Sequence, residues 1–453
     1  MKSRNNLRRF LLVSTLVEVL IASAAIFAPG HARASNTNNL DPNTQFYVAK
    51  PNHGAIEQIA SLTASGDYAD AALIRQLIDI PRAVWFTGDN PKGVEQAVKN
   101  TVQRASGKGT VPILVAYNIP FRDCAQFSAG GATSVQEYKD WIDGFASGIG
   151  DHQALVILEP DGLGIIPYYD PYGNADGSNA YEWCQPTEAD PITAAADRFL
   201  MLNYAIDQLK AHPNVHVYLD GTHSAWLGVG DAAHRLVQAG VTQADGFFLN
   251  VSNYQFTDNL IQYGNWISAC IAYATQVALG DFISCPNQYW NGGPAGTKIA
   301  DLLGPWNGVA LSPYGQWSDE TDNPALNTSG INARYASMLG SIEPATHFVI
   351  DTSRNGVGPW QPPAGVYPDA QDWCNAPERG LGFQPTADLE QPLLDAYLWV
   401  KVPGESDGEC TRGLGPAGET IDPEWGLIDP PAGAWFPELA LRLAHSSNPP
   451  LQP

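Results

Sequence analysis

The sequence predicts an α/β fold, a distorted parallel β/α barrel of about seven strands with long loops around one end. Three observations carry that expectation. Short apolar runs rich in β-branched and aromatic residues recur along the chain, each stops at polar or charged residues, and a helix-like segment follows most of them. Such runs read as strands buried on both faces, and their alternation with helices implies a parallel sheet.

The runs lie at 83–86, 111–117, 154–158, 215–219, 246–249, 347–350 and 396–400. Helices are expected at 92–105, 135–148, 191–211, 230–239, 330–342 and 435–445. The clearest is 191–211. Asp190 can cap it, Pro191 suits a first turn, and Ile192, Ala196, Phe199, Leu202, Ile206 and Leu209 trace one face. Three stretches, 163–190, 252–329 and 402–433, break the rhythm and read as lids or binding walls. There is no internal repeat and no Pro/Ser/Thr linker, so 35–453 reads as one domain.

Residues 1–34 have the layout of a secretory signal peptide. Lys2, Arg4, Arg8 and Arg9 precede an apolar stretch from Phe10 to Ala28, and Ala32-Arg33-Ala34 offers a small-residue cleavage site. Export to an extracellular or periplasmic space is expected, with no membrane span retained. Six cysteines in such a compartment read as up to three disulfides, with the pairing left open by the count alone. A net charge of −23 repels nucleic acid and anionic membranes, so neither is an expected partner. The 13 Trp and 18 Tyr lean toward carbohydrate, whose ring faces stack on aromatics.

In parallel α/β folds the site lies where strands end. Those ends deliver Tyr117 and Asp123, Glu159 and Asp161, then Asp220, His223 and Trp226. Asn250 and Asn253, Asp351 and Arg354, and finally Lys401, Glu405 and Asp407 follow. Carboxylates dominate. No phosphate loop, Cys-x-x-Cys pair or Gly-x-Ser-x-Gly elbow is present, and His216 and His223 are too isolated for a zinc site. No metal or organic cofactor is expected. Two carboxyl groups of unlike pKa are what glycoside hydrolysis requires, one protonated and one ionised. In Glu159-Pro160-Asp161-Gly162 the proline fixes the chain as it leaves a strand and Gly162 permits a sharp turn, so Asp161 can face a pocket. The competing reading is an Asp that caps the next helix.

Seven blocks, in order, resemble glycoside hydrolase family 6, the inverting cellulases. They are Tyr-Asn-Ile-Pro-Phe-Arg-Asp-Cys (117–124), Ile-Leu-Glu-Pro-Asp-Gly-Leu (157–163), Tyr-Leu-Asp-Gly-Thr-His-Ser-Ala-Trp (218–226) and Asn-Val-Ser-Asn-Tyr (250–254). His-Phe-Val-Ile-Asp-Thr-Ser-Arg-Asn-Gly (347–356), Asp-Trp-Cys-Asn (372–375) and Trp-Val-Lys-Val-Pro-Gly-Glu-Ser-Asp-Gly (399–408) complete the series.

The resemblance implies a role for each matching residue. Asp161 is similar to the catalytic acid, and Asp123 to the aspartate that raises its pKa. Tyr117 is similar to the tyrosine that crowds the distorted sugar, and Asp220 to a supporting carboxylate. Asp407 is similar to the family's candidate base, a role that some accounts give to a water chain instead. Trp85, Trp226 and Trp373 resemble sugar-stacking platforms, while His223, Asn250, Lys401 and Glu405 resemble substrate-binding groups. The resemblance also implies the disulfides Cys124–Cys184 and Cys374–Cys410, which leaves Cys270 with Cys285.

Two departures stand out. The serine that commonly lies six residues after the Asp123 equivalent is Ala129 here, with Ser128 just before it. A second tryptophan found in some members is Val229. The activity implied is hydrolysis of β-1,4-glucosidic bonds in cellulose and cello-oligosaccharides by a monomer without a separate carbohydrate-binding module. The long stretches 252–329 and 402–433 suggest a tunnel, hence a cellobiohydrolase acting from non-reducing ends. An open-cleft endoglucanase is the alternative, and a non-catalytic carbohydrate-binding protein the reading of another class.

Overall fold

The computed structural model describes residues 39–170, 181–289 and 309–451. The signal segment and residues 290–292, part of the expected lid, lie outside them. Seven strands form one sheet: β1 (Val84–Phe86), β2 (Ile113–Ala116), β3 (Ala154–Leu158), β4 (Val215–Asp220), β5 (Gly246–Leu249), β6 (His347–Asp351) and β7 (Leu394–Leu398). They pair in sequence order, every pair parallel. The sheet curls until its edges meet. The Ala83 N–H donates to Trp399 O at 2.9 Å, and Trp85 Nε1 to Val400 O at 2.8 Å.

Alternate side chains divide between two apolar layers, as the two-residue period of a strand dictates. Ile113, Val115, Leu155, Ile157, Tyr218, Phe248, Val349, Ala396 and Leu398 fill the interior. Leu114, Ala116, Val156, Leu158, Val217, Leu219, Phe247 and Ile350 point outward beneath the helices. That double burial is why the strands read as unbroken apolar runs.

The helices are α1 (His53–Ser65), α2 (Tyr68–Asp79), α3 (Pro91–Ser106), α4 (Val135–Ile149), α5 (Ala194–Lys210), α6 (Val229–Gln238), α7 (Thr257–Ala272), α8 (Ser329–Leu339) and α9 (Pro437–His445). Several start where side-chain chemistry requires. Asn90 accepts from the N–H groups of Lys92 and Gly93 ahead of Pro91. Ser134 accepts from the Glu137 N–H while Glu137 reaches back to the Thr133 N–H at 2.8 Å. α3 and α4 pack closely because residue 144 is glycine; a Cβ there would sit 2.2 Å from Pro91 O.

Four expectations need correction. The helix expected from 191 begins at Ala194, because Asp190 spends its side chain on a preceding turn, accepting from the Ile192 N–H at 2.9 Å. Ile192 is therefore 89% exposed rather than on the buried face. β7 lies two residues earlier than its run of apolar residues, past an irregularity in its register with β6. The stretch 252–329 is not all loop, since α7 occupies its start. α7 is buried nearly all round, Asn259 and Ser268 included, which blurs the one-sided pattern that identifies a surface helix. α1 and α2, packed against α9, were not anticipated.

Candidate active site

The C-terminal ends of the strands open into one cavity of about 670 Å³. Its walls include Trp85, Tyr117, Asp123, Ser128, Asp161, His223, Trp226, Trp373, Lys401, Glu405 and Asp407. The backbone at several strand ends is unusual. Asp123 (φ 58°), Glu159 (φ 54°), Asp161 (φ 62°), Thr222 (φ 57°) and Asn250 (φ 71°) all take the left-handed conformation that non-glycine residues avoid. Strain of this kind gathers at functional sites, held in place by surrounding bonds.

Those bonds are visible. Glu159 points away from the cavity and is fully buried, its carboxyl accepting from the N–H groups of Asn118 and Ile119. Burial holds its pKa at about 7. With Glu159 turned inward, Asp161, two residues on, faces the cavity.

Asp161 has its pKa raised well above the usual carboxylate range. Burial is the main cause, followed by the negative charges of Asp220, Asp123 and Asp407. A protonated carboxylic acid is what donation to a leaving oxygen needs.

Asp220 does not line the cavity. It is 4% exposed, and it accepts from the N–H groups of Leu163 (3.1 Å), Gly164 (3.0 Å) and Thr222 (2.8 Å). It therefore pins the turn that carries Asp161 and crowds that acid with charge, rather than meeting a substrate. Asn250 is likewise removed from the cavity. It is fully buried, its amide donating to Asp351 O at 2.8 Å and its carbonyl accepting from the Gln255 N–H. Its neighbour Asn253 is the one that lines the wall.

Asp123 sits in the loop after β2, where Oδ2 accepts from the Ser128 N–H at 2.7 Å. Burial pushes its pKa up to about 6, against the lowering pull of that bond and of Arg122. Arg122 is the loop's anchor. Its guanidinium donates to Ser128 O, Thr87 O and Tyr117 O and lies 4.6 Å from the centre of the Tyr117 ring.

Asp407 is in the opposite condition. Burial alone would raise its pKa, but Arg354 at 2.7 Å and Lys401 at 3.1 Å, with the Asn375 N–H at 2.8 Å, hold it at about 2. Asn375 returns the grip, its carbonyl accepting from the Asp407 N–H. Asp351 ties the tips of β5, β6 and β7 together, accepting from the N–H groups of Ser252, Ser353, Val400 and Lys401.

The residues expected to bind sugar are similarly fixed. Trp85 meets Tyr117 edge-on at 5.3 Å. Trp226 lies over Gly164, where a Cβ would come within 2.5 Å of the indole. Burial lowers the His223 pKa to about 3, so the ring is neutral. Its Nδ1 accepts from the Ala225 N–H, which leaves the proton on Nε2 as a donor to the cavity. Glu405 accepts from Asn52 Nδ2 at 2.9 Å.

The six cysteines form Cys124–Cys184, Cys270–Cys285 and Cys374–Cys410. The first and third are joined directly to loops that carry Asp123, Trp373 and Asp407. Among the described residues, one group of potential metal ligands is close enough to act together: Cys410, Asp422 and Asp429. Cys410 is already in a disulfide, and Asp422 is ion-paired to Arg412 at 2.7 Å. Asn253, expected at a strand end, does line the cavity, whereas sequence reasoning assigned no place in it to Phe127, Trp183, Tyr254 and Trp360, which also form its walls.

Comparison with known proteins agrees with this arrangement. The chain is 30% identical over 437 residues to Endoglucanase 1 of Streptomyces halstedii, covering 96% of this chain and 99% of that one. It is 27% identical over 441 residues to 1,4-beta-D-glucan cellobiohydrolase C of Emericella nidulans, covering 92% and 80%. The endoglucanase Cel6 of Mycobacterium tuberculosis was solved with methyl-cellobiosyl-4-deoxy-4-thio-β-D-cellobioside. It superposes with a TM-score of 0.57 at 29% identity, over 89% of this chain and 97% of that one. The catalytic core of the cellobiohydrolase Cel6A from Chaetomium thermophilum shares the fold, with a TM-score of 0.57 at 22% identity, over 90% and 98%. A sequence model described as Glycosyl hydrolases family 6 matches residues 41–447, a span that takes in every strand and the whole cavity, and the chain belongs to that family.

Proposed function

We propose that this protein hydrolyses β-1,4-glucosidic bonds of cellulose and cello-oligosaccharides with inversion, Asp161 donating the proton to the leaving oxygen. The observation that carries the reading is the state of Asp161, a cavity-facing carboxyl kept protonated by burial and three neighbouring carboxyl groups. The names of the relatives supply the substrate class. Water attacks from the opposite face of the sugar, and its proton must go to an ionised group.

Asp123, with a pKa of about 6, suits that task near neutral pH, directly or through a bridging water. Asp407 is a weaker base, since it stays ionised down to about pH 2 and is saturated by Arg354, Lys401 and Asn375. Its fixed negative charge suits stabilisation of the oxocarbenium-like transition state instead. Trp85, Trp226 and Trp373 offer ring faces to glucosyl units, and Tyr117 sits beneath the reacting sugar. Export, a monomeric state and independence from other partners belong to the same proposal. The three disulfides fit an oxidising compartment.

We place internal cutting ahead of the tunnel suggested by loop length, on the likeness over 96% of this chain to a relative named an endoglucanase. Of the stretch 252–329, only Ser252 to Gln255 line the cavity among the described residues. After Asp407 the Cys374–Cys410 disulfide ties the chain to the segment that carries Trp373, and Glu405, Asp407, Ala432 and Gly433 of the stretch 402–433 line the cavity. Arg412 then buries itself on the carbonyls of Ala370, Gln371 and Cys374. A cellobiohydrolase is the second reading. It is favoured by Phe127, which reaches from the loop after β2 to Trp373 (5.9 Å between ring centres) and to Gly408.

On carboxymethylcellulose, internal cutting predicts rapid viscosity loss ahead of soluble sugar. Steady cellobiose release at nearly constant viscosity would reverse the choice. Asp161→Asn should lower turnover by about 10²–10⁴-fold. Undiminished hydrolysis in that variant would refute the assignment of the acid.

A further inference from the structure

Trp183 is 56% exposed, yet it lines the cavity and its backbone is held on both sides. On one side the Glu182 N–H donates to Tyr169 O at 2.8 Å. On the other, Cys184 O accepts from the Tyr168 N–H at 3.0 Å, and its sulfur is bonded to Cys124, the residue after Asp123. The Glu182 carboxylate is clamped by Arg235, whose side chain is fully buried.

That same guanidinium donates to Leu163 O at 2.9 Å, in the turn that follows Asp161. The next residue, Gly164, is the floor on which the Trp226 indole lies. One buried cation thus ties together the segment carrying Trp183, the turn carrying the acid, and the seat of a sugar platform. An indole left facing solvent on so firmly anchored a backbone has only its own side-chain rotamers left to order when a ligand arrives. No core packing explains its exposure.

We propose that Trp183 is a stacking platform for one glucosyl unit of a longer β-1,4-glucan, an added subsite on the side of the cavity where the turn after Asp161 and Trp226 lie. This rests on the substrate reading above.

The test is calorimetric binding of cello-oligosaccharides from cellobiose to cellohexaose to Asp161→Asn protein, with and without Trp183→Ala. Loss of the platform should weaken cellohexaose binding by about three- to tenfold, the weight of one aromatic contact, and leave cellobiose unchanged. Trp183→Tyr should retain most of the affinity. Equal affinity for cellohexaose with and without the indole overturns the proposal. An equal loss at every length also overturns it, since that marks a disturbed segment rather than a lost subsite. If Asp161→Asn protein with Trp183 intact binds none of these sugars and the unmodified chain hydrolyses none, the substrate reading falls as well. Hydrolysis with unaltered length dependence removes the platform alone.

Discussion

Replacing Asp123 by asparagine separates the two proton transfers, because the carboxyl groups involved need opposite protonation states. In the unmodified protein a proton acceptor with a pKa of about 6 must be ionised, so it sets the acid limb of a plot of kcat/KM against pH. One unit below that value, near pH 5, activity should stand at about one-tenth of the plateau. Asp161 must be protonated, so its raised pKa sets the alkaline limb. Asp123→Asn removes the acceptor and one of the three charges that keep Asp161 protonated. The acid limb near 6 should disappear, the alkaline limb should move to lower pH, and the plateau should fall by about 10²–10⁴-fold. The alkaline limb should survive in weakened form, because Asp220 and Asp407 still raise Asp161, Asp220 by more than Asp123 does. The assay is the initial rate on a soluble cello-oligosaccharide between pH 4 and 9. An acid limb that stays near 6 in the variant would show that another group takes the proton, and the assignment of Asp123 would be wrong.

Two further outcomes follow from the frame around the site. Burial holds Glu159 neutral up to about pH 7, against 4.5 when unfolded, so the stability it contributes is complete below 4.5 and is lost as pH rises through 7. That loss amounts to about 3 kcal/mol. A glutamine at this position can keep a carbonyl on the Asn118 and Ile119 N–H groups and has no charge to gain. Urea unfolding of Glu159→Gln should therefore show its advantage over the unmodified protein growing from pH 5 to pH 8, and a constant difference would refute the burial argument. The disulfides should differ in what they support. Cys270–Cys285 spans 15 residues and Cys374–Cys410 spans 36, which makes them worth about 3 and about 4 kcal/mol by loop closure. Serine at the first pair should lower the unfolding midpoint and leave KM unchanged. Serine at the second should also raise KM, because Cys374 lies between Trp373 and Asn375.

What could be read from the sequence followed from periodicity and from local chemistry. The strands announced themselves because both of their faces are buried, and Asp161 because it follows a proline at a strand end. α7 did not, since a helix buried on nearly every side has no polar stripe to mark it. Asp407 could be located but its condition could not. Its charge state depends on Arg354, 53 residues away, and on Asn375, 32 residues away, contacts that exist only once the strand tips converge. Asp220 and Asn250 matched the same blocks as cavity residues. Only the folded chain shows that both are spent on backbone groups behind the wall. Trp183 stood beside a cysteine with no pattern around it, and its exposure is a fact of packing alone.

The division of labour among the four aspartates comes from the donors each one meets, because the residue type is the same throughout. Asp220 takes three backbone N–H groups and faces no cavity, so it can carry charge without reacting. Asp407 takes two cations and an N–H, which makes it permanently negative and a poor acceptor of protons. Asp123 takes one N–H and is partly open to the cavity, which leaves it poised near neutral pH. Asp161 lies among the charges of the other three. A wall of carboxylates, each satisfied to a different degree, therefore turns one of its members into an acid without a separate proton-donating residue. The arrangement also explains why the cations sit where they do. Had Arg354 or Lys401 faced Asp161 instead of Asp407, the acid would have been ionised at working pH, and the same residues in the same fold would have lacked a proton to give.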